Sequence, residues 1–397
     1  MPVPPLHLAV ALDGAGWHPA AWRSPEARPD EVFTAGYWTD LAREAEHGLL
    51  DFLTIEDSFD LQSTQDWPDE RADLLRGRLD AHLIAARIAP LTRHIGLVPT
   101  ATVTHTEPFH IAKAIATLDY VSGGRAGWRV QVSGRAAEDR HFGRRDLPDV
   151  LFRDKSGPEG QRLLGELFAE AGDFVEVVRR LWDSWEDDAE IRDAATGRFL
   201  DRDKVHYIDF VGEHFSVRGP SITPRPPQGQ PLVVALAHAT IPYRLAAASA
   251  DIVFTTPHDI EQVRRIGVEV RQEEAALRRV VPLRIFADLV VFLDDDRATA
   301  MGRKARLDEM ANAEFSSDAH VFTGTPSELA DVLVAWQQAG LSGFRLRPGA
   351  LPHDLTAITR ALVPELRARD AFRDRYEPGG LRARLGLARP ANRFANR

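Results

Sequence analysis

Two hydrophobic patterns take turns along this chain. Short apolar runs lie at Leu6 to Leu12, Asp51 to Ile55, Ile95 to Ala101, Ala126 to Val132, Leu232 to Leu236, Asp251 to Phe254, Leu283 to Phe292 and Gly343 to Arg347, and they read as strands. Between them, helical spacing marks Tyr37 to Gly48, Leu79 to Ala89, His110 to Val121, Leu163 to Trp185, Thr240 to Ser249, Glu261 to Arg279, a pair spanning Thr299 to Gly340, and Leu355 to Arg367. Strand followed by helix, repeated along the chain, predicts an α/β fold of one kind, a (β/α)8 TIM barrel with insertions after several strands.

Local punctuation supports these elements. Ile111, Ile115 and Leu118 share a helix face, and Gly123 and Gly124 supply the left-handed backbone that ends it. Thr325, Pro326 and Glu328 spell a capping box with proline at the first helical position, and Leu329, Leu333 and Trp336 recur on one face until Gly340. Leu167, Phe174, Val178, Leu181 and Trp185 form the apolar stripe of the long helix and belong to the core. Three stretches exceed the minimal repeat: 134–160, polar and rich in Arg, Asp, Gly and Pro; 187–231, with a short hairpin and PRPPQGQP; and 294–322, charged and mostly helical. The expected organisation is one domain, 1–397, carrying these inserted loops and a C-terminal tail, 370–397. Loops that follow barrel strands line the active-site face, so the insertions after strands four and seven are expected to roof a pocket.

Charge and composition then narrow the function. A formal net charge of -10 with no long basic run excludes a nucleic-acid binder held by phosphate contacts. The absence of cysteine excludes disulfides, thiolate nucleophiles and cysteine-ligated metals. No apolar stretch is long enough to span a bilayer and the first residues lack a charged leader, so no membrane partner and a cytoplasmic location are expected. GRAGW and VSGG do not make the spaced glycine motif of a nicotinamide-binding turn.

Reacting groups in such barrels lie at the C-terminal ends of strands. The strand assignments place Asp13, Trp17 and His18 after the first; Glu56 and Asp57 after the second; Thr100, Thr102, Thr104 and His105 after the third; Arg129, Gln131 and Ser133 at the fourth; and His238 and Thr240 after the fifth. His18 and His105 are the catalytic candidates, because histidine titrates near neutrality; each can equally be a satisfied or solvent-facing side chain. No carboxylate accompanies them at ligand spacing, so no metal site is expected. Alternation turns Thr100 and Thr102 to the same side of their strand, into the barrel. Trp17 and Phe59 are candidate substrate contacts, and with Trp22 and Trp128 they point to a small apolar or aromatic substrate, or else to core packing.

Five segments carry a family resemblance, in order along nearly the whole chain: GWHPAAWR from Gly16, HTEPFHIAKAIATLDYVSGGRAGWRVQVS from His105, DFVEVVRRLWDSWEDDA from Asp173, GEHFSVRGP from Gly212 and LGLARPANRFA from Leu385. The chain resembles the bacterial luciferase-like, flavin-dependent monooxygenases, in the branch of the nitrilotriacetate, dibenzothiophene-sulfone and long-chain alkane enzymes. That resemblance implies a two-component monooxygenase: reduced FMN arrives from a separate flavin reductase, and with O2 it oxidises an organic substrate. It also implies a homo-oligomer, dimer or tetramer. By the same resemblance Asp57 packs near the flavin ring, Thr100 and Thr102 lie beside it, and the His18 loop borders the substrate; Asp57 as a turn cap is the competing reading.

Departures from the family pattern cluster on the phosphate contacts. Where relatives carry His and Tyr four residues apart near the cofactor phosphate, this chain has Leu164 and Phe168. Their Gly-Ala-Ser turn after strand five is replaced by Ala237, His238, Ala239 and Thr240; the helix start can still hold an anion, with His238 or Thr240 replacing the hydroxyl. Arg129 stands in place of an asparagine and can pair with a phosphate, with an anionic substrate or deazaflavin tail, or with nearby acids. Two other readings therefore stand beside the monooxygenase: a deazaflavin-dependent oxidoreductase on the same barrel, and a paralogue that has lost the flavin and serves as a binding or structural subunit.

Overall fold

The computed structural model describes residues 5–62, 71–148 and 154–395. Residues 149–153 of the first predicted insertion and 396–397 of the tail therefore lie outside the described residues. Eight parallel strands close the barrel: β1 (His7–Leu12), β2 (Phe52–Ile55), β3 (Gly96–Thr102), β4 (Gly127–Gln131), β9 (Leu232–Leu236), β10 (Ile252–Thr255), β11 (Arg284–Leu293) and β13 (Gly343–Pro348). β1 pairs with both β2 and β13, and the ring is completed by β10 on β11. Every barrel strand expected from the sequence is present to within a residue or so at its ends.

Helices cover the barrel: α1 (Ala35–His47), α2 (Ala81–Ile88), α3 (Pro108–Ser122), α5 (Pro158–Asp183), α6 (Thr240–Ser249), α7 (Ile260–Ala276), α8 (Arg297–Ala311), α9 (Pro326–Gln338) and α10 (His353–Ala357), the last continuing through a π turn into α11 (Val363–Ala368). The capping box of α9 forms as expected, Thr325 Oγ1 accepting from the Glu328 amide while the Glu328 carboxylate accepts from the Thr325 amide. Gly123 ends α3 at φ 66, a conformation glycine adopts without strain.

The insertions resolve into distinct pieces. After β4 comes a short helix, α4 (Ala136–Phe142). The 187–231 stretch holds two hairpins, not one: β5 (Glu190–Asp193) with β6 (Arg198–Leu200), and β7 (Phe210–Val211) with β8 (Ser216–Val217). Because this stretch follows a helix and precedes β9, it lies on the face opposite the strand C-termini; Arg225 ties it to Asp183 and Asp187 at the end of α5. The 294–322 stretch is α8 plus an unexpected strand, β12 (His320–Gly324). β11 explains that strand: Ile285 to Ala287 lie beside β10, whereas Leu289 to Leu293 extend beyond it and offer an open edge that β12 takes.

The tail has a structural task. α12 (Leu381–Arg384) and the residues after it send Leu381, Leu385 and Leu387 against Ala9, Phe52, Val98, Leu232, Phe254 and Phe286, the inward side chains at the strand N-termini. The tail thus closes the bottom of the barrel with hydrocarbon, so that any cavity opens only at the other end.

Candidate active site

At the C-terminal mouth of the strands is a cavity of about 700 Å³. Its wall draws on the loops after β1, β2 and β4, on Phe168 of α5, and on Phe315 to Asp318 before β12. The insertions after strands four and seven do line it, and the loop after β2 adds Gln62, Leu74 and Arg78.

A buried ionic network forms the floor. β13 sends Arg345 and Arg347 inward at alternate positions, 0% and 1% exposed. Arg345 donates to Asp288 Oδ1 at 2.9 Å through Nε, and to Glu56 Oε1 at 3.0 Å and Thr54 Oγ1 at 3.2 Å through Nη1. Arg347 shares Asp288 and reaches Asp318 Oδ1 at 2.6 Å. Against the opposing effect of burial, the guanidiniums of Arg345 and Arg347 hold the Asp288 carboxyl below its usual range, and those of Arg129, Arg345 and Arg347 do the same for Glu56. Arg78 closes the β1 side on Asp13, with Nε at 2.9 Å from Oδ1.

Strand register builds the next layer. Thr100 faces Arg129 across the β3–β4 ladder and Thr102 faces Gln131. Arg129 Nη1 donates to Thr100 Oγ1 at 3.1 Å and Gln131 Oε1 at 3.0 Å, and lies 3.0 Å from Glu56 Oε2. Gln131 Nε2 in turn donates to Thr102 Oγ1 and to the Asp57 carbonyl. Both threonine hydroxyls thus support the Arg129–Gln131 pair beneath the cavity instead of lining it. Arg129 Nε and Trp17 Nε1, both buried, have no hydrogen-bond partner among the described residues. Burial also pulls the Arg129 guanidinium below its ordinary pKa, with Glu56 opposing.

Of the residues singled out in the sequence, the cavity brings together Trp17, His18, Asp57, Arg129, Phe168 and His238. Asp57 accepts from the Ser58 amide at 2.8 Å and, at the start of α2, from the Ala81 amide at 2.9 Å, and burial pushes its carboxyl up to about 6. His18 is fully engaged: Nδ1 accepts from the Ala20 amide at 3.1 Å, which leaves Nε2 as the donor to Asp308 Oδ1 at 3.1 Å. Burial drives its pKa down to about 4, with Asp308 opposing. His238 sits at the rim, its Nδ1 2.8 Å from Thr256 Oγ1, and Ala239 and Thr240 are exposed where α6 begins.

His105 and Phe59 lie apart from that cavity. They meet Phe142 of α4, the His105 ring stacked on Phe142 at 5.0 Å and Phe59 edge-on to it at 4.9 Å, so the cluster fastens α4 down. Burial, aided by Arg145, lowers the His105 pKa. Sequence reasoning did not single out Asp288, Arg345, Arg347, Asp318, Arg78 or Glu138. A usable signal was present: charged residues at alternate positions inside otherwise apolar strands, as in GFRLRP and RIFADLVVFL, have to be paired within the barrel.

A closed parallel barrel, sealed below and opening at the strand C-termini into a cavity lined by polar groups, defines a (β/α)8-barrel enzyme. Residues 15–307 match the luciferase-like monooxygenase family, and the chain belongs to it. It is 31% identical to N-acetyl-S-(2-succino)cysteine monooxygenase of Bacillus subtilis (strain 168), over 98% of each chain. It is also 31% identical to nitrilotriacetate monooxygenase component A of Aminobacter aminovorans, again over 98% of each. The crystal structure of long-chain alkane monooxygenase (LadA) superposes with a TM-score of 0.84 at 23% identity, over 96% of this chain and 95% of that one. The sequence reading of family, barrel and monooxygenase class therefore stands. Among the described residues, no helix is long and apolar enough to cross a membrane.

Proposed function

We propose that this chain is the oxygenase of a two-component system, taking reduced FMN from a separate reductase and using O2 to oxidise an organic substrate. The observation that carries this reading is Arg129 Nε: a buried donor without a partner, on a residue that lines a cavity of ligand size at the catalytic end of the barrel. Bound there, reduced flavin supplies two electrons to O2, so that one oxygen atom enters the substrate and the other leaves as water.

The protein's part is to bind, orient and exclude water. The phosphate is assigned to the start of α6, where the first amides lack intrahelical partners and Thr240 and His238 stand alongside. Phe168, which shares the cavity wall with His238 and Pro242, gives that end an apolar flank. Arg129, held by Thr100, Gln131 and Glu56, offers its remaining donors to the flavin or the substrate. Asp57, through its bonds to Ser58 and Ala81, fixes the loop between β2 and α2 at the cavity edge. His18 and His105 act through position: one locks the loop after β1 and the other anchors α4. Trp17 and Phe168 provide apolar wall.

Anaerobic calorimetric titration with reduced FMN, oxidised FMN and a deazaflavin cofactor tests the reading. Preferential binding of reduced FMN is expected. A preference for the deazaflavin makes the chain a hydride-transferring relative, and no binding of any of the three makes it a subunit without flavin.

A further inference from the structure

We propose that the β2–β4 side of the cavity is a carboxylate-binding subsite for the organic substrate, built from Arg129 and Arg135. This inference rests on the oxygenase reading, since it names the class of molecule that reading leaves open.

Hydrogen-bond accounting carries the argument. Four acids along the wall are committed: Asp13 to Arg78, Glu56 to Arg129 and Arg345, Asp318 to Arg347, and Asp57 to two backbone amides. The donors are not. Arg129 is 5% exposed and its Nε is unpartnered, and Trp17 Nε1 is unpartnered as well. Arg135 lines the cavity and makes no side-chain hydrogen bond or ion pair among the described residues. Glu138 beside it is 1% exposed, with Oε2 lacking a partner. Burial raises its carboxyl above the usual range, with Ser133 and Arg135 opposing.

A wall with spare donors and spent acceptors fits a ligand rich in acceptor oxygens. A hydrocarbon would leave each buried N–H unsatisfied. A carboxylate matches the planar fork of a guanidinium and forms charge-assisted bonds. Apolar Val132, Leu236 and Leu245 remain for the carbon skeleton.

Location separates this anion from the cofactor phosphate. Glu138 feels Arg135 and Asp60 and bonds near Phe59, which puts the Arg135 cluster beside the loop after β2. His238 and Thr240 follow β9, which flanks β4 on the side away from β3 and β2. The substrate expected from Trp17, Phe59, Trp22 and Trp128, apolar or aromatic, thus becomes an organic anion with a hydrocarbon part.

Thermal shift and calorimetry on the full chain test this with benzoate, succinate and tricarballylate, their neutral amides, inorganic phosphate and FMN. At least one carboxylate is expected to bind about ten-fold more tightly than its amide. Arg135→Gln, on an exposed residue whose loss the fold tolerates, should weaken that binding about ten-fold and leave FMN affinity within about two-fold. Arg129→Gln should weaken it further. Phosphate should compete with FMN and not with the carboxylate. Equal binding of acids and amides, or no binding by any of the acids, overturns the proposal; so does an equal loss of FMN affinity in Arg135→Gln, which would give Arg135 to the cofactor. Carboxylate binding without flavin binding sinks the oxygenase reading alone, and the reverse sinks only this subsite.

Discussion

The floor of the cavity and its rim hold the same kinds of side chain and use them in opposite ways. On the floor, Asp288 and Glu56 are each shared by two guanidiniums within bonding distance, all of it out of water. At the rim, Arg135 makes no side-chain hydrogen bond or ion pair among the described residues, and the exposed His238 has Nδ1 2.8 Å from Thr256 Oγ1 with Nε2 3.6 Å from Asp318 Oδ2. Compensated charge fixes a shape; uncompensated charge is available to a ligand. The floor therefore makes the barrel mouth rigid, and the rim is where binding energy is to be found.

The largest expected effect follows from breaking that compensation. Asp288→Ala leaves Arg345 and Arg347 sharing a buried space without the carboxylate that both contact. Orphaning a buried charge costs about 3–5 kcal/mol, so the urea midpoint should fall steeply or soluble protein should be lost. A loss below about 1 kcal/mol would show that the floor is not held by its ion pairs and that the contrast with the rim is false.

A mid-sized effect sharpens the comparison through pH. His18, with side-chain exposure of 0%, has its pKa lowered from 6.5 to about 4, so the folded state resists a proton that the unfolded chain accepts. Its contribution is present above about pH 6.5 and is lost as pH falls through about 4, a swing of about 3 kcal/mol at most. Asp57 runs the other way: raised from 3.8 to about 6, its ionisation costs stability as pH rises through that range. The two oppose each other in one window, and Asp119, also raised by burial to about 6, acts there in the same sense as Asp57. In His18→Gln, destabilised at pH 7, the His18 limb is gone, so stability relative to the native protein should rise on acidification from pH 6.5 to 4. Chemical denaturation across that range measures it; parallel profiles for the two proteins would remove His18 from the account.

Legibility in the sequence followed the physics of each element. Barrel strands and their helices were readable because apolar periodicity and glycine or capping residues are local signals, as at Gly123 and Thr325. β12 was not, since HVFTG is too short to declare itself and exists to cover the edge that β11 leaves open. Positions at strand ends located the cavity, yet Thr100, Thr102 and His105 turned out to support its walls, because a hydroxyl or an imidazole is indistinguishable in sequence from one already bonded to a neighbour. Asp288 and Arg345 meet across 57 residues, a pairing that only the closed barrel creates.

The smallest stability effect belongs to the rim, and it tests whether floor and rim are independent. His238 meets the floor network through Asp318, which Arg347 already holds at 2.6 Å. If the floor is self-sufficient, His238→Ala should change stability by less than about 0.5 kcal/mol, as expected for an exposed side chain whose contacts are with Thr256 and Asp318. FMN affinity should nevertheless fall several-fold, because the imidazole stands beside the α6 amides assigned to the phosphate. Denaturation and FMN titration on the same preparation separate the two outcomes. Unchanged FMN affinity would leave the phosphate to the amides and Thr240 alone, and a stability loss above about 1 kcal/mol would extend the rigid floor up to the rim.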